Sequence, residues 1–205
     1  MSESFNSTQE NLTSLESLNP QLKKALQDYC QFFQEDPQKF SSIFDLIAKD
    51  SNLQDRSNME GHLASQGFLF NKDFTKVLLL HHKSLDIWIQ PGGHMDPEDT
   101  DLVLATQREV LEETGLSECS YLPVDEVNPL MPIRVVVNDI PSNPKKQEGD
   151  HTHIDLAYIF KTENEDINID PTESNQCKWV SFEEFKKNPR FNQIAQRINS
   201  ITKKD

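Results

Sequence analysis

Apolar residues in the first quarter of the chain recur every three to four positions, which is the spacing of amphipathic helices. Asn19-Pro20 matches an N-cap followed by proline in the first turn, and Asp36-Pro37 repeats this pattern. The apolar positions are Leu22, Ala25, Leu26, Tyr29, Phe32 and Phe33, then Phe40, Ile43, Phe44 and Ile47. We predict a helical extension over residues 19–58, packed on the main body or on a second subunit. The polar residues 1–18 are predicted to form a flexible arm.

From residue 59 onwards the pattern changes to short runs of β-branched and aromatic residues, which is typical of strands. The predicted strands are Leu63 to Phe70, Lys76 to His82, Ile87 to Gln90, Pro132 to Asp139 and Ile154 to Thr162. A helix is predicted over Asp101 to Thr114, and a helical segment broken near Asn188-Pro189 is predicted over Phe182 to Ile201. Strands and helices that mix without regular alternation favour an α+β sandwich over a doubly wound parallel sheet. We therefore predict one α+β domain over residues 59–205.

The net charge limits the kinds of molecule that the protein is expected to bind. The 205 residues include 34 acidic and 20 basic side chains, for a formal net charge of −14 and a pI near 4.8. Long nucleic acids and anionic membrane surfaces repel such a protein, so we expect neither as a partner. No apolar run approaches the roughly 20 residues of a membrane-spanning helix. The three widely spaced cysteines predict no disulfide framework, and MSESFNSTQE lacks a secretory-signal pattern, so we expect a cytoplasmic protein.

Much of the negative charge lies between residues 96 and 126, where ten acids accompany one base, Arg108. At 3.6 residues per turn, Glu109, Glu112 and Glu113 project from one helix face, and Arg108 is placed to pair with Glu112. Repulsion among three carboxylates needs a compensating cation, and Mg²⁺ or Mn²⁺ prefers oxygen ligands. The preceding Gly92-Gly93 lets a carbonyl approach such an ion, or an amide approach a phosphate. The pattern predicts a divalent-cation site beside a double-glycine turn.

The string from Gly93 to Leu116 resembles the signature of the Nudix hydrolases, Gly-x5-Glu-x7-Arg-Glu-U-x-Glu-Glu-x-Gly-U, in which U is apolar. Every position from Arg108 onward satisfies this signature. The departure is Asp99 in place of the first Glu, with eight rather than seven residues before Arg108. We attribute it to one extra residue at the loop–helix junction. A weaker resemblance covers residues 60–190 and predicts that Trp179-Val180-Ser181 opens the terminal helix.

The resemblance implies an α/β/α sandwich with a mixed sheet, and hydrolysis of a pyrophosphate bond that depends on Mg²⁺ or Mn²⁺. It implies that the Gly93 carbonyl, Glu109, Glu112 and Glu113 bind the metal and that Arg108 orients Glu112. Either Glu112 or Glu113 would also activate the attacking water. Such families often draw the base or another ligand from a distant loop, and the candidates here are Glu148, Asp150, Asp155 and Glu173. The loop from Asn138 to Thr152 is predicted to be mobile and to border the site.

Histidines form a second group of candidate ligands. His151, His153 and Asp155 alternate along a predicted strand, so they are expected on one face of the sheet. Three interpretations stay open: a transition-metal site, a pocket in which the histidines contact phosphate or ribose, and ordinary strand-edge residues. The candidates for substrate contact are Gly92, His94 and His153.

The expected substrate is a small nucleotide, either a nucleoside diphosphate sugar or ADP-ribose. One alternative is a hydrolase of nucleoside triphosphates or dinucleoside polyphosphates. Another is a non-catalytic Nudix domain that senses nucleotides, which the complete set of glutamates disfavours. The helices between residues 19 and 50 are the predicted contact of a homodimer.

Overall fold

A computed structural model describes residues 17–142 and 149–202 of the chain. The N-terminal extension consists of α1 (Asn19–Phe33), a 3₁₀ turn (Pro37–Phe40) and α2 (Ser41–Ala48). Pro20 lies in the first turn of α1, and Asp36 caps the 3₁₀ turn by accepting a hydrogen bond from the backbone N–H of Gln38. The first helix is therefore present, but Asn19 is its first residue and not the predicted N-cap, which is Leu18. The second predicted start, at Asp36-Pro37, begins the 3₁₀ turn, and α2 starts only at Ser41.

The remaining elements are eight strands and three helices. The strands are β1 (His62–Asn71), β2 (Lys76–His82), β3 (Ile87–Ile89), β4 (Gly92–His94), β5 (Ser120–Leu122), β6 (Arg134–Ile140), β7 (His151–Thr162) and β8 (Ser174–Ser181). The helices are α3 (Leu102–Thr114), α4 (Phe182–Lys187) and α5 (Asn192–Thr202). All the strands join one sheet with the order β3-β2-β1-β7-β5, in which β4 also pairs with β1, β6 with β7 and β8 with β2. Among the strand pairs of the described residues, β1 and β7 are parallel and the others are antiparallel, so the sheet is mixed.

Helices cover both faces of this sheet. On one face Gly67 of β1 lies under α3, and a Cβ atom at Gly67 would be 2.2 Å from Val110 Cγ2. The next residue, Phe68, points the opposite way and meets Phe185 of α4 edge-on, with ring centroids 5.9 Å apart. This arrangement confirms the predicted α+β sandwich with a mixed sheet.

The α3 helix is fixed at both ends. The Asp101 carboxylate accepts hydrogen bonds from the backbone N–H groups of Val103 and Leu104, at 2.8 and 2.9 Å. Gly115 ends the helix with a φ of +66°, which favours glycine. Leu102 and Ala105, on the side of the helix near the acids, are fully buried, as is Val110. The acidic face of α3 therefore lines a crevice instead of an open surface.

The extension packs on the main body, which is one of the two predicted arrangements. The α1 residues Leu22, Ala25 and Leu26 have no exposed surface and belong to the same hydrophobic cluster as the sheet. Arg197 of α5 donates to the hydroxyl of Tyr29 at 2.6 Å and pairs with Glu35 at 2.6 Å.

Two glutamines of the extension reach the loop that precedes α3. The Gln21 side-chain amide donates to the Thr100 carbonyl, and that of Gln54 to the Asp99 carbonyl, each at 2.7 Å. Gln54 also accepts a hydrogen bond from the backbone N–H of Leu18, which is buried although the sequence placed it in the arm. The rest of the predicted arm, over residues 1–16, lies outside the described residues. No helix within residues 17–142 and 149–202 combines the length and the apolarity of a membrane span.

Three local predictions need correction. Trp179 and Val180 were expected to open the terminal helix, but they belong to β8, and Ser181 instead caps α4. Among the described strands, β8 pairs with β2 alone, and its polar residues are typical of a strand at the edge of a sheet. Gly92 and Gly93 were expected to form a turn but belong to β4. The predicted loop from Asn138 to Thr152 is wrong at both ends, because β6 continues to Ile140 and β7 begins at His151. Its residues 143–148 lie outside the described part of the chain.

Candidate active site

Two of the three predicted carboxylates lie against the double glycine of β4. Glu113, 8% exposed, accepts a hydrogen bond from the Gly92 backbone N–H at 2.7 Å. A Cβ atom at Gly93 would lie 2.2 Å from Glu109 Oε2, so the Glu109 carboxylate occupies space that only glycine leaves open. A Cβ at Gly92, whose φ is +150°, would lie 2.1 Å from the Ser65 carbonyl oxygen. The double glycine therefore lets the backbone approach the carboxylates closely, although the glycines form a strand and not the predicted turn. The Gly92 N–H donates to Glu113. It therefore orients that carboxylate and does not serve as the predicted phosphate contact.

The Arg108 guanidinium forms ion pairs with several acidic side chains at once. Its Nη1 contacts Glu109 Oε1 at 2.9 Å and Glu112 Oε2 at 3.1 Å, and its Nη2 contacts Asp99 Oδ2 at 2.9 Å. The predicted pairing with Glu112 is thus present, although the Glu112 side chain is 61% exposed. The extra residue before α3 has not displaced Asp99, which still reaches the guanidinium.

Burial makes the two inner carboxyls weak acids in the absence of a cation. Loss of solvent raises the pKa of Glu109 to about 7, against the opposing effect of the Arg108 charge. Loss of solvent also raises the pKa of Glu113 to about 8, and a hydrogen bond with Glu173 adds to this shift. Two carboxyl groups share a hydrogen bond only when one of them carries a proton. A divalent cation would replace that proton, so this oxygen-only donor set fits a hard metal ion.

Of the four distant acids, Glu173 reaches the carboxylate cluster. It lies just before β8, and its carbonyl accepts the backbone N–H of Lys83 at 2.9 Å. Asp150 instead accepts from the Ser142 backbone N–H, and Asp155 from the side-chain amide of Asn138. The fourth candidate, Glu148, lies outside the described residues.

The predicted alternation of His151, His153 and Asp155 along a strand is confirmed. Nε2 of His153 lies 3.0 Å from Nε2 of His151 and 3.3 Å from Nε2 of His94. A further histidine, His62, joins this group, with its ring centroid 4.8 Å from that of His153. We did not single out His62 from the sequence, because only the parallel pairing of β1 with β7 places it opposite His153.

A second polar group that the sequence did not indicate lies on the same sheet face. The Gln66 side-chain oxygen accepts hydrogen bonds from Arg134 and from the Gln90 amide. Gln66 pairs with Gly92 across β1 and β4, so this group adjoins the double glycine. Asp155 is bound by Asn138 at 2.6 Å, and burial raises its pKa. These residues give the sheet face hydrogen-bond donors and acceptors close to the carboxylate site.

Comparison with known proteins agrees with the geometry. Residues 62–199 match the family model described as NUDIX domain. A relative named as a probable DHNTP pyrophosphohydrolase, from Lactococcus lactis subsp. cremoris (strain MG1363), is 26% identical over 136 residues, which cover 66% of this chain and 75% of the relative. The chain belongs to the NUDIX family. It is a hydrolase that cleaves pyrophosphate bonds of nucleotide-type substrates.

Two solved structures show the same fold. A NUDIX-family hydrolase from Clostridium perfringens superposes with a TM-score of 0.53 at 24% identity, covering 71% of this chain and 97% of that one. A MutT protein from Methanosarcina mazei Go1 gives a TM-score of 0.51 at 20% identity, covering 72% of this chain and 99% of that one. Both matches cover nearly the whole of the other protein but less than three quarters of this chain.

Proposed function

We propose that this hydrolase cleaves the pyrophosphate bond of a nucleoside diphosphate linked to another group, of the nucleotide-sugar or ADP-ribose type, with Mg²⁺ or Mn²⁺. The observation that carries the proposal is the position of Glu109 and Glu113 against Gly92-Gly93, with Glu173 in hydrogen-bond contact with Glu113. This cluster offers only oxygen donors and holds more negative charge than Arg108 neutralises.

The metal would be held by the Gly93 carbonyl, Glu109, Glu112 and Glu113, as the family signature implies. A bound divalent cation would neutralise charge on the diphosphate and make a bound water more acidic. The preference for a hard cation follows from the carboxylate donors.

The protein's own groups would hold and activate the water. The Gly92 N–H fixes one oxygen of Glu113, so this carboxylate has a defined orientation. We assign the base to Glu113 rather than Glu112, because Glu112 is mostly exposed and is engaged by Arg108. Arg108 is a positioning residue for Glu109 and Glu112.

The polar sheet face supports a substrate with a heterocyclic ring. Asp155 and Asn138 offer a carboxylate and an amide, and Arg134 and Gln66 offer a guanidinium and an amide. Such groups recognise the donor and acceptor edges of a heterocycle. Contacts of His94 and His153 with phosphate or ribose were also predicted, and they are the alternative to metal binding by the same imidazole nitrogens.

A second candidate substrate is a triphosphate of the DHNTP type. It is favoured by the relative from Lactococcus lactis, whose name refers to DHNTP. Its hydrolysis would use the same carboxylates, and the two candidates differ in the phosphate-containing product.

A substrate panel tests the proposal. The full chain would be assayed with Mg²⁺ or Mn²⁺ on ADP-ribose, nucleotide sugars, nucleoside triphosphates, dinucleoside polyphosphates and dihydroneopterin triphosphate. The proposal expects the highest kcat/KM on a nucleoside diphosphate derivative, with release of a nucleoside monophosphate. Preferred release of inorganic pyrophosphate from a triphosphate would support the second candidate. Absence of turnover on the whole panel with both metals would overturn both.

Location and assembly are further proposals. The cysteines Cys30, Cys119 and Cys177 are all free, which supports a reducing cytoplasmic location. Homodimerisation through the N-terminal helices stays a prediction, for which the 40% exposed Phe32 on α1 is a candidate contact. Light scattering of the full chain and of Phe32→Glu tests it, because a dimer through α1 would lose mass in the variant.

A further inference from the structure

Four histidines meet on the sheet face opposite α3. His62 begins β1 and pairs with His153 of the parallel strand β7. His151 lies two residues before His153, and His94 ends β4 opposite Ala64. Successive residues of a strand point to opposite faces, so His94 faces away from the carboxylates that lie against Gly93. The histidine cluster, defined as His62, His94, His151 and His153, is therefore a separate group from the carboxylate site.

Two distances between imidazole nitrogens match those of a metal centre. Zn²⁺ binds histidine nitrogen at 2.0–2.1 Å, so two ligands of a tetrahedral ion lie about 3.3 Å apart. Nε2 of His153 is 3.0 Å from that of His151 and 3.3 Å from that of His94. One ligand nitrogen from each of His62, His151 and His153 lies within 4.8 Å of the others. Small side-chain rotations would bring these three nitrogens around one ion.

Backbone carbonyls fix the tautomers of two of these rings. Nδ1 of His151 lies 2.8 Å from the Gly149 carbonyl oxygen, and Nδ1 of His62 lies 3.1 Å from that of Asn58. A carbonyl only accepts, so each Nδ1 carries the proton and each Nε2 of a neutral ring presents a lone pair. Histidines that bind metals are held in this way by their outer nitrogen.

We propose that His62, His151 and His153 bind a transition-metal ion of the Zn²⁺ class, with His94 as the neighbouring fourth donor. Imidazole nitrogen suits Zn²⁺, whereas Mg²⁺ prefers oxygen, so the two sites select different ions. The bound ion would link the first residues of β1 and β7 to His94, the last residue of β4. His94 directly follows Gly93.

Metal binding to the full chain tests the proposal without an activity assay. Chelator-treated protein would be dialysed against Co²⁺ in the presence of excess Mg²⁺, which fills the carboxylate site. We expect one Co²⁺ per chain with the strong visible absorption of a tetrahedral nitrogen-rich site, removed by added Zn²⁺. X-ray absorption of the Zn²⁺ form is expected to show nitrogen ligands at about 2.0 Å. A folded wild-type protein that binds no Co²⁺ or Zn²⁺, or a shell made only of oxygen, would overturn the proposal.

Variants locate the site. His153→Gln, at a half-buried position, should weaken Zn²⁺ binding by at least about a hundredfold, since loss of an outer-shell partner alone costs up to this factor. His81→Gln is the matched control, because His81 lies on β2 against Trp88 and Asp86. Glu113→Gln should also leave Co²⁺ binding unchanged, which separates this site from the catalytic one. Circular dichroism confirms folding of each variant, and equal affinities of His153→Gln and His81→Gln would contradict the assignment.

Discussion

The Arg108 guanidinium and the Asp99 carboxylate form a two-point contact, with Nη2 2.9 Å from Oδ2 and Nε 3.4 Å from Oδ1. Asp99 also accepts the backbone N–H of Asp96 at 2.8 Å, which closes the loop before α3. A bidentate ion pair of this kind fixes the plane of the guanidinium. The same guanidinium also contacts the carboxylates of Glu109 and Glu112. By fixing the guanidinium, Asp99 therefore fixes the position of the group that both glutamates contact.

Asp99→Asn should lower kcat by about tenfold or more, the range measured when an outer partner of a metal ligand is removed. The change keeps the shape of the side chain and removes its charge. Asp96→Asn is the control, because Asp96 is 58% exposed and its carboxylate lies 3.5 Å from Arg108. Steady-state kinetics at several Mg²⁺ concentrations would measure both effects. Equal kcat values for the two variants would argue against a role for Asp99.

Glu113→Gln should lower kcat by about 10²- to 10⁴-fold, because the variant lacks the proposed water-activating carboxylate. The amide oxygen of glutamine still accepts the Gly92 N–H, so the local backbone is expected to remain in place. Glu118→Gln, an exposed acid beyond the end of α3, is the matched control and should retain full activity. If Glu113→Gln kept more than a tenth of the activity, the base would have to be reassigned.

The metal-free protein should lose stability as the pH rises from about 4.5 to 8. Glu109 and Glu113 have folded-state pKa values of about 7 and about 8, above the ordinary 4.5 of glutamate. The folded state therefore binds protons more tightly, and its stabilisation is complete below pH 4.5 and lost as these groups ionise. Mg²⁺ should raise the melting temperature more at pH 8.5 than at pH 6. Thermal melts in EDTA and in Mg²⁺ measure this, with Glu113→Gln as the variant in which the difference shrinks.

Gly93→Ala should reduce activity by about a hundredfold while the protein stays folded. Its Cβ would collide with the Glu109 carboxylate, the end of a flexible side chain, so Glu109 moves and the backbone stays. A displacement of about 1 Å in a catalytic group is sufficient for a loss of this size. Gly149→Ala is the control, because a Cβ at Gly149 meets no atom within 4 Å. Comparable activity losses in both variants would indicate a general effect of alanine rather than the displacement of Glu109.

Local sequence pattern was sufficient to predict the carboxylates of α3. Glu109 and Glu113 are four residues apart, and helix geometry alone places them on one face. The buried strand β2 was also predictable, because Val77 to Leu80 form an apolar run. The polar edge strand β8 lacks that pattern and was missed.

Residues contributed by pairing between distant strands could not be predicted. His62 meets His153 only because β1 and β7 pair in parallel in one particular register, and a shift by one residue would turn His62 to the other face. Glu173 reaches Glu113 only through the path of the chain into β8. No local spacing in the sequence specifies either contact.

The hydrogen bonds from Gln21 and Gln54 to the loop before α3 have a practical consequence for anyone who wishes to shorten or transplant this protein. Both donors precede residue 62, where the match to the family begins. A fragment that starts at residue 62 would keep every glutamate of the signature, yet it would lack the two side-chain amides that support Asp99. It would also expose the apolar surface on which Leu22 and Leu26 pack. The region that matches the family model and the region that supports the loop before α3 therefore have different borders in this chain.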